Sequence, residues 1–221
     1  MELSLAQFLA FSTEDAVQII DTRNSSEFLQ GFIPGAIHIE VDAIKTLTAL
    51  KIIEQDCPII LVCSEGTEAS TIQRFELLGY TQIRGYLKGG FNTWLEADQK
   101  IDLIIEVEVD ELAMDIPFDE YLMVLDIRTE AVFDNAHIKD AVNIPLIEFS
   151  DPGAMSELDE HFNIYIIDDT GKELLLAASI LKKQGIHNIR IVQDGWDAVE
   201  FLKNKFNIIA TPSKPTSTEK F

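Results

Sequence analysis

Positive charge is what this sequence lacks most. Its 221 residues hold 17 Lys and Arg against 38 Asp and Glu, a formal charge of −21. A chain so acidic presents no basic surface, which excludes nucleic acid and an anionic membrane face as general partners. Long apolar runs are missing as well. Nothing approaches the roughly 18 residues of a membrane span, and the longest strand-like run is Ile59 to Cys63. Met1 to Asp21 has no cationic start, and Glu2, Glu14 and Asp15 interrupt it, so it does not read as a signal peptide. Cys57 and Cys63 are the only two cysteines. On one extended strand they stand about 20 Å apart, well beyond the roughly 7 Å a disulfide can bridge. Free thiols without an export signal make the cytoplasm the expected location. His38, His137, His161 and His187 are scattered singly, so no zinc site and no other metal is expected. Neither a P-loop nor a Gly-rich dinucleotide pattern occurs, so no cofactor is expected.

What the sequence does have is an ordinary globular composition, 47% hydrophobic, and an internal repeat. Ile19-Ile20-Asp21-Thr22-Arg23 returns as Val124-Leu125-Asp126-Ile127-Arg128, an offset of 105. The same offset carries Phe28 onto Phe133, Ile33 onto Ile138, Ala36 onto Ala141, Gly66 onto Gly171 and Gly90 onto Gly195. Two domains follow, 1–100 and 101–206, with 207–221 as a flexible tail holding two prolines and a Ser/Thr-rich stretch. The acidity is uneven: 1–100 carries 7 basic and 14 acidic residues, 101–221 carries 10 and 24.

Each copy alternates strand and helix signals. In the first, Val17–Ile20, Ala36–Ile39, Ile59–Val62 and Ile83–Leu87 are short apolar runs of strand type. Ser25 and Ser26 read as the N-cap of a short helix through Leu29, and Ile44 to Ile53 has helical spacing. Ala69–Leu78 repeats apolar residues at helix period and stops at Gly79, and Phe91–Leu95 is a last helix. The second copy offers a strand at Ile164–Ile167 and a helix at Leu174–Lys183 before Gly185. Between the copies, Ile101 to Glu120 holds eight carboxylates and no Lys or Arg; Glu111–Met114 suits a short helix. Strands separated by helices predict an α/β fold, each domain a mostly parallel sheet flanked by helices.

Cys63 ends the most apolar strand, where open parallel sheets bind their ligands. Loop amides and the next helix's N-terminus favour an anion there and lower a thiol's pKa. Gly66 permits the positive φ of a tight cradle. A cysteine after four apolar residues also suits a plain buried side chain, and the local sequence leaves both readings open. Cys57, at the strand's other end, reads as structural.

Several motifs together resemble the rhodanese family. They are Asp21-Thr22-Arg23, the stretch from Gly31 to Ile39, Cys63-Ser64-Glu65-Gly66, Leu78-Gly79-Tyr80, and Leu87-Lys88-Gly89-Gly90 through Trp94. The second copy adds Asp126-Ile127-Arg128, the stretch from His137 to Pro145, Gly171, and Asp194-Gly195-Trp196. The resemblance implies a tandem rhodanese-like protein. It further implies that Cys63 accepts a sulfane sulfur as a persulfide and passes it to a thiophilic acceptor. Ser64, Glu65, Gly66, Thr67, Glu68 and Ala69 would form the substrate-binding loop. The implied partners are a sulfur donor and a thiol acceptor, each a small molecule or a protein. His38 and His137 fall in the family's gateway segment and read as structural.

Two departures qualify that implication. The second copy has Asp168 at the cysteine position, ahead of Gly171, and a carboxylate carries no persulfide. The first copy has Glu68 where active family members usually have arginine, with Glu65 nearby. At about 6 Å and an effective dielectric near 20, each negative charge disfavours a thiolate by roughly 2–3 kcal/mol before screening. Arg23 and Lys88 are the candidate supporting cations. Arg23 reads first as a structural ion pair, and Lys88 equally suits a solvated side chain. With no arginine between Cys63 and Arg74, phosphatase chemistry on a related fold is disfavoured. Two readings remain: a sulfurtransferase using Cys63, and a catalytically inactive tandem rhodanese acting as a binding or regulatory module.

Overall fold

The sequence repeat becomes two copies of one parallel sheet. The computed structural model describes residues 1–210. In the first copy the order is β1 Glu2–Leu3, α1 Leu5–Ser12, β2 Gln18–Asp21, α2 Ser25–Leu29, β3 Ile37–His38, α3 Lys45–Ala49, β4 Ile59–Val62, α4 Glu68–Leu77, β5 Ile83–Leu87 and α5 Gly90–Glu96. The second copy runs β6 Ile105–Val107, α6 Val109–Asp115, β7 Leu122–Asp126, α7 Glu130–Asn135, β8 His137–Ile138, β9 Val142–Asn143, β10 Asn163–Ile167, α8 Leu174–Lys183, β11 Ile189–Val192 and α9 Gly195–Phe201. A short β12, Ile208–Ile209, closes the described chain. The sheets are ordered β1-β5-β4-β2-β3 and β6-β11-β10-β7-β9, with all neighbours parallel.

β4 is buried at all four residues because a central parallel strand is covered on both faces. Its register sets Val62 beside Asp21 of β2, so the residues that follow, Cys63 and Thr22, leave the sheet side by side. The second sheet repeats this, with Ile167 beside Asp126, so Asp168 leaves beside Ile127.

Several elements depart from the sequence reading. The first strand and helix carried no clear signal there, yet Ser4 and Gln7 form a capping box on α1. Asn24, rather than Ser25 or Ser26, caps α2, with Glu27 closing its box. The Ile44–Ile53 stretch yields only the five-residue α3 after a 3-10 turn at Val41–Ala43, and Lys51 at φ +52° ends it. Asn207 to Ile209, expected as the start of the flexible tail, are held by backbone pairing. Lys139 N donates to Asn207 O at 2.8 Å, and β12 pairs antiparallel with β8. The remainder of the expected tail, 211–221, lies outside the described residues.

The two copies share one apolar core. It runs from Phe8, Ile20 and Leu61 in the first sheet to Leu125, Ile164 and Ile191 in the second, with α8 between. Ser179 on α8 accepts from the His38 amide of β3 at 3.0 Å. Asp102 ties the connection down. It exchanges backbone hydrogen bonds with Phe32 (2.9 and 3.1 Å), and its carboxylate holds Lys182 of α8 at 2.8 Å. A second, smaller core of Val107, Leu112, Val124, Tyr165 and Val199 fills the other face of the second sheet. Among the described residues no helix is long and apolar enough to cross a membrane.

Candidate active site

Cys63 stands at the carboxyl end of β4, where the chain turns into α4. Gly66 makes the turn at φ +81°, a conformation that strains any side-chain-bearing residue. Thr67 closes it, its amide and hydroxyl donating to Ser64 O at 3.1 and 2.7 Å. The Ser64 hydroxyl is tied to Glu27 Oε2 at 2.8 Å, which anchors the loop to α2. Gly90 passes so close that an added Cβ would lie 2.9 Å from the Cys63 carbonyl oxygen. The thiol residue is only 4% exposed.

Electrostatics around the sulfur oppose ionisation. Burial pushes the Cys63 thiol up to about 11, and the Glu68 and Asp21 carboxylates push the same way. The hydroxyls of Thr22 and Thr71 lie near the sulfur and would favour its anion, although neither makes a hydrogen bond to the neutral thiol. Glu65 and Ala69 are exposed, and Glu68 is half-buried. Tyr86, on neighbouring β5, faces the same region. Desolvation, then the charges of Glu2 and Glu68, hold its phenol above the ordinary range.

Neither candidate cation is free for the sulfur. Arg23 is buried and grips Asp21 through both carboxylate oxygens, at 3.0 and 2.6 Å. It also donates to Gly31 O at 2.9 Å and lies over the Phe91 ring at 4.0 Å. That is a clamp between β2, the loop before β3 and α5. Arg128 repeats it with Asp126, Ala136 O and Trp196. Lys88 is exposed and pairs with Glu2 Oε2 at 3.1 Å. His38 is buried and donates from Nε2 to Arg23 O at 3.0 Å. Burial is the main influence on its ring and lowers its pKa.

In the second copy the same cradle is filled from within. The Asp168 carboxylate accepts from the amides of Gly171 and Glu173 at 2.5 and 2.7 Å. Burial raises its pKa, and those amides draw it back down. Gly195 mirrors Gly90; a Cβ there would sit 2.6 Å from Asp168 O. A cavity of about 510 Å³ lies beside this loop, lined by Arg128, Thr129, Leu146, Asp168 and Lys172. Among the described residues no three His, Cys, Asp or Glu side chains gather as metal ligands.

Thr22, Thr71, Tyr86 and Glu2 join the site through the fold, although the sequence reading gives them no site role. The internal alignment held a signal for the first two: Thr22 corresponds to Ile127 and Thr71 to Leu176, so both hydroxyls occur only in the copy that has the thiol.

Two parallel α/β units, each with a strand–loop–helix cradle at a carboxyl strand end, define a tandem fold with one thiol-bearing and one carboxylate-bearing site. The rhodanese-like domain family matches residues 4–97 and again 108–201, and the chain belongs to that family. It is similar to the putative sulfur carrier protein YrkF of Bacillus subtilis, 31% identical over 113 residues, 51% of this chain and 58% of that protein. The chain thus spans under two thirds of that relative's length. It is also similar to the thiosulfate sulfurtransferase GlpE of Shewanella oneidensis, 27% identical over 97 residues, 43% of this chain and 93% of that protein. Among solved structures, a thiosulfate sulfurtransferase from Pseudomonas aeruginosa is 16% identical, with a TM-score of 0.42 over 95% of this chain and 43% of that one.

Proposed function

We propose that the chain is a sulfurtransferase that carries a sulfane sulfur on Cys63. The observation that supports this most is the placement of that thiol. It ends a buried central strand and opens onto a Gly66 turn leading into α4. In the first step the Cys63 thiolate attacks the outer sulfur of a persulfide R–S–SH. It forms Cys63–S–SH and releases R–S⁻. In the second step an acceptor thiolate attacks the outer sulfur, takes it as R′–S–SH and restores the Cys63 thiolate. No external oxidant or reductant is consumed.

A neutral or protein-bound donor suits this site better than thiosulfate. The dianion would have to approach Glu68 and Glu2 without help from either candidate cation, since Arg23 and Lys88 are engaged by Asp21 and Glu2. The cytoplasm, where thiols stay reduced, suits two free cysteines. A second reading, an inactive binding module, draws on the burial of the thiol and the carboxylate at Asp168.

Intact-mass measurement after incubation with polysulfide, and separately with thiosulfate, tests the choice. The expected result is a gain of about 32 Da, one sulfur on the thiolate, from polysulfide on the wild type and not on Cys63→Ser. No adduct from any donor would sink the transferase and leave the binding module.

A further inference from the structure

Thr71 lies on the first turns of α4 and is wholly buried. A threonine in a helix ordinarily turns its hydroxyl back onto the carbonyl one turn earlier. Here the Thr71 amide donates to Thr67 O at 2.9 Å, but the hydroxyl does not join it. Among the described residues it is the buried side-chain polar atom without any hydrogen-bond partner. Thr22, the other hydroxyl beside the sulfur, is by contrast satisfied by Val62 O at 3.2 Å. Leaving a buried hydroxyl unsatisfied is costly, so an idle one needs a reason.

The second copy supplies it. Leu176 occupies the equivalent position and is equally buried, so the fold itself asks only for an apolar side chain there. Where the cradle holds a carboxylate fed by loop amides, the hydroxyl is absent. Where it holds a thiol with no cation free for it among the described residues, the hydroxyl is kept.

We infer that Thr71 is the hydrogen-bond donor reserved for anionic sulfur at Cys63, first the thiolate and then the persulfide anion. The persulfide half of this assignment rests on the sulfur-transfer reading, and the thiolate half stands without it. The hydroxyl has no competing acceptor, so its proton is available when the sulfur becomes charged. A neutral donor here stabilises the anion without the positive charge that would draw in thiosulfate.

The test is the pH dependence of iodoacetamide alkylation on the full chain, read on the Cys63 peptide by mass spectrometry so that Cys57 does not interfere. Thr71→Val should react about ten-fold more slowly below the midpoint, the effect of one lost hydrogen bond to a charged group, with the midpoint moved to higher pH. Thr71→Ser should stay close to wild type, and the melting temperature of Thr71→Val should not fall. A Thr71→Val profile that coincides with wild type, or equal slowing in Val and Ser, overturns the assignment. If Thr71→Val does not fold, Thr71→Ala against Thr71→Ser makes the same comparison. The readout uses no sulfur donor. A Thr71 shift without any sulfur adduct therefore defeats sulfur transfer and keeps the donor, and an adduct with coincident profiles does the reverse.

Discussion

The loops after β4 and β10 share a register, a Gly turn and a close-passing glycine, yet they solve the same electrostatic problem in opposite ways. The Asp168 loop spends its amides on its own carboxylate, at 2.5 and 2.7 Å. The Cys63 loop leaves its sulfur buried, protonated and beside an idle hydroxyl. The helices that follow differ as sharply. α8 is buried at nine of its ten residues because it packs between the sheets, whereas α4 buries only Thr71 and Phe75. The helix behind one cradle has become part of the interior, whereas the helix behind the other stays at the surface, although Cys63 and Asp168 are themselves equally buried.

The largest expected effect separates the two helices. Ala178 of α8 is fully buried, and its counterpart in α4 is the exposed Gln73. Ala178→Glu buries an unpaired charge and should cost more than about 4 kcal/mol in urea denaturation, while Gln73→Glu stays within about 0.5 kcal/mol. Equal losses would break the contrast.

Next in size is pH. Cys63 has its folded pKa raised, from 9.0 to about 11, so the folded state holds the proton longer than the unfolded one. The corresponding stability is full below pH 9 and is lost as pH rises through about 11, roughly 3 kcal/mol in all. Cys63→Ser should remove that alkaline slope from the unfolding free energy. Asp168, also raised, contributes in the same sense but in acid: its share is full below its ordinary value of 3.8 and declines as pH climbs through its folded value. Asp168→Asn should flatten only that acid segment. A variant that alters the other loop's range would show that the two sites are coupled.

The smallest effect concerns Glu68. Glu68→Gln removes one charge that disfavours the thiolate and should speed Cys63 alkylation at pH 8 by about two- to five-fold. An unchanged rate would leave burial as the whole cause of the raised thiol.

Much of the fold was legible in the sequence. Ile59–Val62, Ile83–Leu87 and Leu174–Lys183 fall within the observed elements without adjustment, because their apolar runs are bounded by Gly or Pro. Glu2–Leu3 was not, since a two-residue edge strand has no period to detect. Asn207 to Ile209 looked like a tail because pairing with β8 is set by tertiary contact, not local pattern. At the site, Cys63, Gly66 and Asp168 declared themselves by residue type. Thr71 did not, because a buried idle hydroxyl exists only once α4 is folded with Thr71 inward. Arg23 was visible as charge, but its grip on Asp21, Gly31 and Phe91 needed the folded loops.

The shared core has a consequence for how the chain comes apart. Ser179, Lys182 and the apolar face of α8 are covered by β3 and the Asp102 clip. A first copy stripped of its neighbour would lay Ile37 and Ile39 bare to water. The duplicated halves should therefore come apart together instead of as two units joined by a string, since the copy without the thiol covers part of the other's interior.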